Sequence, residues 1–329
     1  MERIERALET ISGKADMALI TKRENIYYLT GFMPTVTAFL FLTDEPVLFV
    51  NEMDIESAEG CGIHVDVFKK VSDVSDMVEP GALAVEPSIP VGLVERIGLG
   101  SDFQVMDPIA ELRMVKDREE IGRMDKALKI AEESFKEIEF HGSESEIAAR
   151  LDYIMRLGGS EGVSFDTIVT SASRSSMPHA VPTSNDLGSP LLVDWGAVHS
   201  GYHSDTTRTF VESEREHEVL DILIEAKREG LRAAKPGVRA CEVDSAVRGV
   251  IDEYGYADNF IHSSGHGVGL EVHERPSLSA DDKTVLTEGM VLTIEPGIYL
   301  PGEFGVRVED MFVVGGGVMN RLPDHLGWI

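Results

Sequence analysis

Short apolar runs separated by polar, turn-forming residues dominate the first third of the chain. These runs have the length of β-strands and end at turn residues, a pattern that predicts strands: MALI, TAFLFLT, PVLFV, IHVDVF and ALAVE. The Asp44-Glu45 pair between the second and third runs predicts a hairpin. With helices between other runs, this part of the chain is predicted to form a small α/β domain.

A helical period marks the start of a second region. Asp107-Pro108 has the form of a helix start, and Asp117 begins another, with Glu120 three residues later as in a capping box. We place the domain boundary between these two starts, so that residues 1–116 form the N-terminal domain and residues 117–329 the C-terminal domain. Beyond Asp117 the apolar residues recur at spacings of three and four, which predicts an amphipathic helix: Ile121, Met124, Leu128, Ala131, Phe135 and Ile138.

Helices and acid-bearing strand pairs alternate in this second region. SESEIAARLDYIMRLGG predicts a helix that ends at Gly158-Gly159, and two more helices are predicted at about residues 212–234 and 240–254. The strand-like stretches between and after them are FDTIVTS, LLVDWGAV, YHSDTTRTFV, VLTIEPGIYL and GVRVEDMFVV. Helix pairs combined with mainly antiparallel strands predict an α+β domain.

Two of the predicted hairpins place acidic residues side by side. A two-residue turn at His199-Ser200 would set Asp194 directly opposite Asp205. A loop centred on Gly302 would set Glu295 opposite Glu309 in the same way. Cross-strand partners have Cβ atoms about 4.5–5.5 Å apart, and like charges at that distance destabilise a sheet.

A bound cation would remove this conflict between carboxylates. Four carboxylates in a core could not all ionise without strong repulsion, whereas two metal ions about 3.5–4 Å apart match the predicted separation. His266 lies among glycines in HSSGHGVGLEVHE and is a fifth candidate ligand. Carboxylate oxygens together with one imidazole favour Mn, Co, Fe or Zn over Ca.

Each of these features has a simpler interpretation when it stands alone. A single facing aspartate pair is more often a solvated surface feature, and a single histidine is more often packed or exposed without function. The glycines around His266 could form a nucleotide-binding loop, but no strand–GxGxxG–helix unit surrounds them. The joint occurrence of two facing acid pairs and the histidine is what favours a metal site.

The charge balance excludes several kinds of partner. Fifty-eight acidic residues against thirty basic ones give a formal charge of −28, which repels nucleic acids and anionic membranes. The excess of acids fits adaptation to high salt or an acidic cytosolic enzyme, and a metal would sequester some of them. The chain has no uninterrupted apolar run of membrane-spanning length and no signal-like start. Its two cysteines make no disulfide framework, so we expect a cytoplasmic protein.

Four stretches of the C-terminal region resemble the "pita-bread" metallopeptidase family (M24), which includes methionine aminopeptidase, aminopeptidase P and Xaa-Pro dipeptidase (prolidase). They are DWGAVHSGYHSDTTRTF, HSSGHGVGLEVHERP, TIEPGIYLPGEFGVRVED and MPHAVPT. In the first region, ITKRENIYYLTGF resembles the N-terminal domain of the proline-specific branch. The resemblance implies a pita-bread catalytic domain preceded by a smaller creatinase/prolidase-like domain.

The resemblance also implies roles for individual residues. Asp194 and Asp205 would bind one metal ion, and Asp205 and Glu309 would bridge to a second. A water between the ions would be the nucleophile. The second ion would be completed by His266 and Glu295, the latter also moving the proton of the attacking water. Three histidines would orient the substrate and stabilise the tetrahedral intermediate: His179, His262 and His273. By strand alternation Arg307 lies on the face of Glu309 and would pair with a carboxylate that binds metal, and Tyr299 lies on the face of Glu295 and would contact the substrate.

The proline-specific branch implies cleavage of the peptide bond before proline with two divalent metal ions, manganese being favoured, and commonly a homodimer. Many prolidases carry an arginine where this chain has Ser277, so aminopeptidase P stays open beside the favoured dipeptidase. Ala172-Ser173 stands where many relatives carry glycine, so the entrance loop is expected to differ. A metal-free creatinase-like amidinohydrolase and a non-catalytic binding module are weaker alternatives, since all five ligands are present.

Overall fold

The computed structural model describes residues 2–78, 81–100 and 103–327, without the side chains of residues 76 and 77. Contacts between Cα atoms divide the chain into two units, Met1–Arg113 and Met114–Ile329. The division lies three residues before the boundary predicted at Lys116-Asp117. No helix within the described ranges has the length and apolarity needed to cross a membrane.

The first unit is built on one mixed sheet. Its strands are β1 (Met17–Ile20), β2 (Phe39–Leu42), β3 (Val47–Val50), β4 (His64–Val67), β5 (Leu83–Val85) and β6 (Phe103–Val105). They lie in the order β4-β3-β2-β1-β5-β6. The hairpin predicted at Asp44-Glu45 is confirmed, because β2 and β3 pair antiparallel on either side of it.

Short helices precede, connect and follow these strands. They are α1 (Glu2–Ile11), α2 (Arg23–Thr30), α3 (Ile55–Ala58), α4 (Val91–Ile97) and α5 (Ala110–Met114). A helix does begin after Asp107-Pro108 as predicted, and Asp107 Oδ1 accepts hydrogen bonds from the backbone N–H groups of Ile109 and Ala110 (3.1 and 2.9 Å). The α/β character predicted for this region is confirmed.

Within its described residues, the second unit has four long helices. Three of them begin at a side-chain cap. The helices are α6 (Arg118–Glu137), α7 (Glu144–Leu157), α8 (Glu214–Ala233) and α9 (Ala240–Glu253). Asp117, Ser143 and Ser213 each cap a helix and pair with a glutamate three residues later. These boxes satisfy backbone N–H groups that a helix start leaves open, so the predicted helix start at Asp117 is confirmed.

The strands of the second unit are short and mainly antiparallel. They are β7 (Ile168–Ser171), β8 (Leu191–Trp195), β9 (Val198–His199), β10 (Tyr202–His203), β11 (Thr206–Phe210), β12 (His266–Gly267), β13 (Glu274–Ser277), β14 (Val291–Ile294), β15 (Gly297–Leu300), β16 (Phe304–Arg307), β17 (Asp310–Val313) and β18 (Gly317–Val318). One sheet has the order β11-β8-β7 and another the order β13-β12-β14-β17-β18. Strands β15 and β16 form a separate hairpin.

Two apolar clusters hold the helices of this unit against its strands. Helices α8 and α9 pack on the hairpins of β14 to β17, and the contact is close at Gly230, where an added Cβ would lie 2.4 Å from Ile294 Cδ1. Helices α6 and α7 pack on β7 and β8. There Trp195 stacks on Phe135, with ring centroids 4.2 Å apart, so the side chain that follows Asp194 is directed into the core.

The register predicted for the first hairpin is wrong by two residues. Strands β9 and β10 turn at Ser200-Gly201 and pair His199 with Tyr202, so Asp194 lies opposite Thr207 and not opposite Asp205. Ser200 and Gly201 both have positive φ, 50° and 74°, as a type I′ turn requires. Glycine adopts that conformation without a steric penalty, which is why the turn includes Gly201.

The register predicted for the second hairpin is confirmed by its flanking strands. Gly297 pairs with Arg307 on one side of the acids and Ile294 pairs with Asp310 on the other. Glu295 and Glu309 occupy the short break between these strand segments. The break gives both carboxylates room to turn toward the same interior space.

Candidate metal centre

Four carboxylates lie on or beside the strands of the two acid-bearing hairpins, and one imidazole lies on β12. Asp194 lies on β8, and Asp205 directly precedes β11. Asp194, Asp205 and Glu309 are buried, whereas Glu295 and His266 are half-buried. Three buried carboxylates need a compensating charge or hydrogen-bond donor, because an isolated carboxylate loses its hydration in the protein interior.

The side chains of this set converge. Ligand atoms of Asp205, His266 and Glu309 all lie within 4.8 Å of one another. His266 Nε2 is 3.6 Å from Asp205 Oδ2 and 3.4 Å from Glu295 Oε1. The structure therefore brings together the acids that the sequence predicted to face each other, although the strand register of the first hairpin differs from the predicted one.

Thr207 connects the two acid-bearing hairpins. It pairs with Asp194 across the β8–β11 ladder, and its hydroxyl donates to Glu309 Oε2 (2.8 Å). The backbone N–H of Glu309 donates to Thr207 O (3.1 Å). Asp205 and Thr207 have the spacing of residues on one face of a strand, so alternation from Asp205 was the signal that could have identified this threonine.

Thr293 has an equivalent role beside His266, and it too was missed by the sequence analysis. Its hydroxyl accepts a hydrogen bond from the backbone N–H of His266 (3.1 Å) and donates to Glu295 Oε1 (3.4 Å). Thr293 stands two residues before Glu295 on β14, which is again the strand period. Thr207 and Thr293 thus orient the two glutamates of the second hairpin, Glu309 and Glu295.

The acids of this cluster resist ionisation in the absence of a cation. Burial raises the pKa of Asp205 well above its usual value, and the neighbouring Glu309, Asp194 and Glu295 raise it further. Burial likewise raises the pKa of Glu309 well above its usual value, and it raises the pKa of Glu295. Burial in a shared space and like charge act in the same direction here.

The donor set fits a divalent cation. Asp194 Oδ1 is buried and has no hydrogen-bond partner within the part of the chain that the structure describes. His266 Nδ1 lies 3.1 Å from the carbonyl of Gly267, so this nitrogen carries the hydrogen, and Nε2 faces the acids with a lone pair. Burial lowers the pKa of His266, which keeps the imidazole neutral as metal ligation requires.

A chain of hydrogen bonds runs along one side of the cluster. Arg307 Nη2 donates to Asp194 Oδ2 (2.5 Å) and Nη1 donates to the Tyr299 hydroxyl (2.8 Å). His262 Nε2 lies 3.0 Å from that hydroxyl. Burial raises the pKa of Tyr299 to about 12, so the phenol keeps its hydrogen. The buried guanidinium of Arg307 also neutralises the adjacent carboxylate of Asp194.

The geometry fixes the hydrogen positions of His262. Its Nδ1 lies 2.8 Å from Ser263 O and therefore donates, because a carbonyl oxygen only accepts. Nε2 is left as the acceptor of the Tyr299 hydroxyl hydrogen. Burial lowers the pKa of His262 despite the nearby Glu295, so the ring is neutral and its tautomer is determined by these two contacts.

The other two predicted histidines lie at the exposed side of the cluster. The rings of His273 and His266 meet edge to face with centroids 4.3 Å apart. His179 is exposed and follows Pro178, whose carbonyl accepts a hydrogen bond from Arg307 Nη1 (3.5 Å). Partial burial lowers the pKa of His273, and the proximity of the His266 ring lowers it further. His179 is thus placed in the vicinity of the site, not inside it.

The loop that carries His179 has a strained start. Ala172, at the position where glycine was noted in many relatives, has a φ of 49°, a left-handed conformation that costs a residue with a Cβ about 1–2 kcal/mol. Glu144 is fully buried and holds the far end of the loop by accepting hydrogen bonds from the backbone and hydroxyl of Thr183 (3.0 and 2.8 Å). The far end of the loop is therefore anchored by a buried carboxylate.

Comparison with known proteins gives a consistent assignment. Residues 122–315 match the model of metallopeptidase family M24, and residues 2–115 match that of the creatinase/prolidase N-terminal domain. The chain is 38% identical to the Xaa-Pro dipeptidases of Pyrococcus horikoshii and Pyrococcus furiosus. Each alignment covers 98% of this chain, and 96% and 97% of those proteins.

Solved structures agree with this result. The prolidase from Pyrococcus horikoshii has a TM-score of 0.93 at 37% identity, covering 98% of this chain and 99% of that one. The X-Pro aminopeptidase from Thermotoga maritima has a TM-score of 0.86 at 33% identity, covering 99% of both chains. The fold is thus the pita-bread fold with a creatinase/prolidase-type N-terminal domain, and the chain belongs to metallopeptidase family M24.

Proposed function

We propose that this chain is a Xaa-Pro dipeptidase that hydrolyses the peptide bond before proline with the help of two divalent metal ions. The observation that carries the proposal is the convergence of ligand atoms from Asp205, His266 and Glu309 within 4.8 Å. It occurs in a chain whose near full-length relatives include proteins named Xaa-Pro dipeptidase. The names of the relatives indicate the substrate class, and the cluster of ligand atoms indicates metal-dependent hydrolysis.

Five residues would hold the ions. Asp194 and Asp205 would bind the first, His266 and Glu295 the second, and Asp205 and Glu309 would contact both. When bound, the ions polarise the scissile carbonyl and make water nucleophilic at neutral pH. We propose manganese as the native metal, with cobalt, iron and zinc as the alternatives that oxygen and imidazole donors admit.

Glu295 is the residue that would move protons. Its pKa is raised by burial, which suits a carboxylate that must accept a proton from the attacking water and release it again. It is half-buried and lies 3.9 Å from His262 Nδ1, measured from Oε2. The bond before proline is a tertiary amide, so its nitrogen carries no hydrogen and must gain one as it leaves. Glu295 would deliver that proton.

The histidines and Tyr299 would orient the peptide. His262 is fixed by Ser263 O and the Tyr299 hydroxyl, so its ring is held in one orientation. His273 and His179 are more exposed and can contact the outer part of a bound peptide. Arg307 holds Tyr299 and Asp194 together, which couples substrate-side and metal-side residues.

Hydrolysis of matched peptides tests this function. Metal-stripped enzyme is supplied with manganese and offered Ala-Pro and Ala-Pro-Ala, with Glu295→Gln as the inactive control. Metal-dependent cleavage of Ala-Pro in preference to the tripeptide is the expected result. Preference for the tripeptide would assign an X-Pro aminopeptidase, the activity named for the similar Thermotoga maritima structure. Cleavage of neither peptide with manganese, cobalt, iron or zinc would refute the substrate class.

Two further points are predictions, the first from the family resemblance and the second from composition. We propose a homodimer, and sedimentation velocity that gives the mass of one 36.1 kDa chain would contradict it. We also propose a cytoplasmic location, in keeping with the few cysteines, which cell fractionation would test.

A further inference from the structure

Residues 319–324 form an irregular segment after β18 that we call the C-terminal strap. It runs along β17, where Met319 N donates to Met311 O (2.9 Å) and Met311 N donates to the side chain of Asn320 (2.7 Å). Leu322 is buried in the cluster formed by α6, α7, β7 and β8. The strap therefore contacts the strand that immediately follows Glu309.

A buried arginine connects the strap to the backbone of the site. Arg208 on β11 is fully buried, and all five N–H donors of its guanidinium have acceptors. Nη1 donates to Thr207 O (2.9 Å) and Glu309 O (2.6 Å). The remaining donors reach the strap carbonyls of Leu322 and Pro323 (2.8 and 2.9 Å) and Asp310 Oδ1 (2.7 Å). One side chain thus joins the strap to the main chain of Glu309.

Asn320 makes a second, independent connection, on the side of Asp205. Its amide Nδ2 donates to the hydroxyl of Thr206 (2.9 Å). That hydroxyl donates to the carbonyl of Asp205 (2.6 Å). The same amide group accepts the hydrogen bond from Met311 N, so Asn320 connects the segment of Asp205 to the strand after Glu309.

Buried charges hold the strap in place. Lys227 on α8 donates to both Asp310 and Asp324, and Arg208 pairs with Asp310 as well. Two cations and two carboxylates therefore balance. On the other side, Glu132 Oε1 accepts hydrogen bonds from the backbone N–H groups of Arg321 and Leu322 (2.7 and 3.1 Å). An irregular segment fixed by this many buried polar contacts is rigid.

We propose that the C-terminal strap is a positioning element for metal binding, in which Arg208 and Asn320 hold the backbones of Glu309 and Asp205 at a fixed separation. Two buried carboxylates that share one space cannot both ionise without cost, so the metal-free site disfavours their close approach. Contacts that hold their main chains from behind keep the ligand atoms close together, so less free energy is spent on assembling the site when the ion binds. The inference rests on the proposed metal site.

Calorimetric titration of the metal-stripped, full-length protein with Mn²⁺ tests this inference. The main variant is Asn320→Ala, which removes the bridge between Thr206 and Met311. A second variant, Asp324→Asn, weakens the contact with Lys227 at a partly exposed position and is expected to fold. The matched control is Asp125→Asn, which breaks an exposed ion pair between α6 and Arg321 of the same strap without altering contacts toward the site.

We expect Asn320→Ala to weaken Mn²⁺ binding by about tenfold or more, the usual effect of losing a partner that orients metal ligands. Asp324→Asn should weaken it in the same direction, and Asp125→Asn should bind like the wild type. If both strap variants bind Mn²⁺ like the wild type while the metal-free protein melts at a lower temperature, the strap only stabilises the fold and the inference is wrong. If the wild type itself binds no Mn²⁺, the metal site fails and the inference fails with it.

Discussion

At the scale of single residues, the site depends on side chains that would bind no metal themselves. Thr207 donates its only hydroxyl hydrogen to Glu309 and accepts a hydrogen bond from Arg307 Nε (3.1 Å). It therefore sets the direction of one proposed ligand and of the guanidinium that neutralises Asp194. Such partners contribute to metal affinity because they restrict the ligand to the productive rotamer.

Replacing Thr207 by valine tests this role. The side chain keeps its shape but loses the donor to Glu309 Oε2 and the acceptor for Arg307. We expect Thr207→Val to weaken Mn²⁺ binding by about tenfold, measured by calorimetric titration of the metal-stripped protein. Thr207→Ser keeps the hydroxyl and should restore most of the affinity. Equal affinity in the valine variant would show that Glu309 needs no orienting hydrogen bond.

Glu309 exemplifies a conflict between stability and function. In the metal-free protein its pKa is raised well above the usual value by burial and by its acidic neighbours. The unfolded chain loses this proton first, so stability is present below about pH 4 and is lost as the pH rises through the folded-state pKa. Only a bound cation would recover that loss at neutral pH.

We therefore expect Glu309→Gln to raise the free energy of unfolding of the metal-free protein at pH 8, by about 0.5–2 kcal/mol. The difference from the wild type should shrink toward pH 4, where the glutamate is protonated. Added Mn²⁺ should raise the melting temperature of the wild type but not of the variant. Urea unfolding with and without chelator measures both effects. If Glu309→Gln is less stable than the wild type when both are free of metal, the raised pKa of Glu309 is contradicted.

The limits of sequence-based prediction are also visible in single residues. The motifs identified the acids and His266, because their types and spacing are specific to a family that is now confirmed. Their roles as ligands stay a prediction. The partner of Asp194 was predicted incorrectly, since it lies opposite Thr207. A shift of two residues keeps every side chain on its original face, so the hydrophobic pattern could not reveal the error.

At the scale of elements, the β9–β10 turn decides the register of the first acid-bearing hairpin. The backbone N–H groups of Ser200 and Gly201 donate to the two carboxylate oxygens of Glu161 (2.8 and 2.9 Å). This contact and the positive φ angles of both residues fix the turn where it lies. The sequence HSGY contains a single glycine, and the correct turn is the one that assigns this glycine a left-handed position.

Gly201→Ala tests the importance of this turn. The φ of 74° disfavours a Cβ, so we expect the substitution to lower the free energy of unfolding by about 1–2 kcal/mol. Gly162→Ala is the matched control, because that glycine has no positive φ and no atom within 4 Å of an added Cβ. Urea unfolding of both variants measures the difference. Equal stabilities would mean that the hairpin does not depend on this backbone conformation.

Regular elements were predictable because their signals are local. The helix at Asp117 and the strands of the first unit follow from caps and from apolar periods within a few residues. The loop of His179 and the C-terminal strap have no such period. Their conformations depend on buried partners far away in sequence, such as Glu144 for Thr183 and Arg208 for Leu322, and a single sequence does not record these pairings.

At the scale of the whole molecule, the net charge of −28 opposes folding. Like charges distributed over one chain repel each other, and this self-repulsion is screened by salt. The effect is distinct from the acid cluster, because the buried acids are shielded from mobile ions whereas surface acids are not. The dependence of stability on salt therefore reports on the surface charges, and its dependence on metal reports on the buried acid cluster.

We expect the melting temperature of the chelated protein to rise as KCl is increased from 0.05 to 1 M at pH 7.5, by about 5 °C. At pH 5 the carboxylates carry less negative charge, so the same increase in KCl should have a smaller effect. Differential scanning calorimetry measures both series. A melting temperature that falls with KCl at pH 7.5 would show that favourable ion pairs outweigh the repulsion.

The most direct measurement of the central claim is anomalous diffraction at the manganese edge from crystals of the protein grown with Mn²⁺. Two peaks about 3.5–4 Å apart are predicted, one beside Asp194 and the other beside His266 and Glu295, with Asp205 and Glu309 touching both. Absence of a peak among these five side chains, with the protein active, would contradict the claim that they form a metal centre. A single peak there would contradict the claim of two ions.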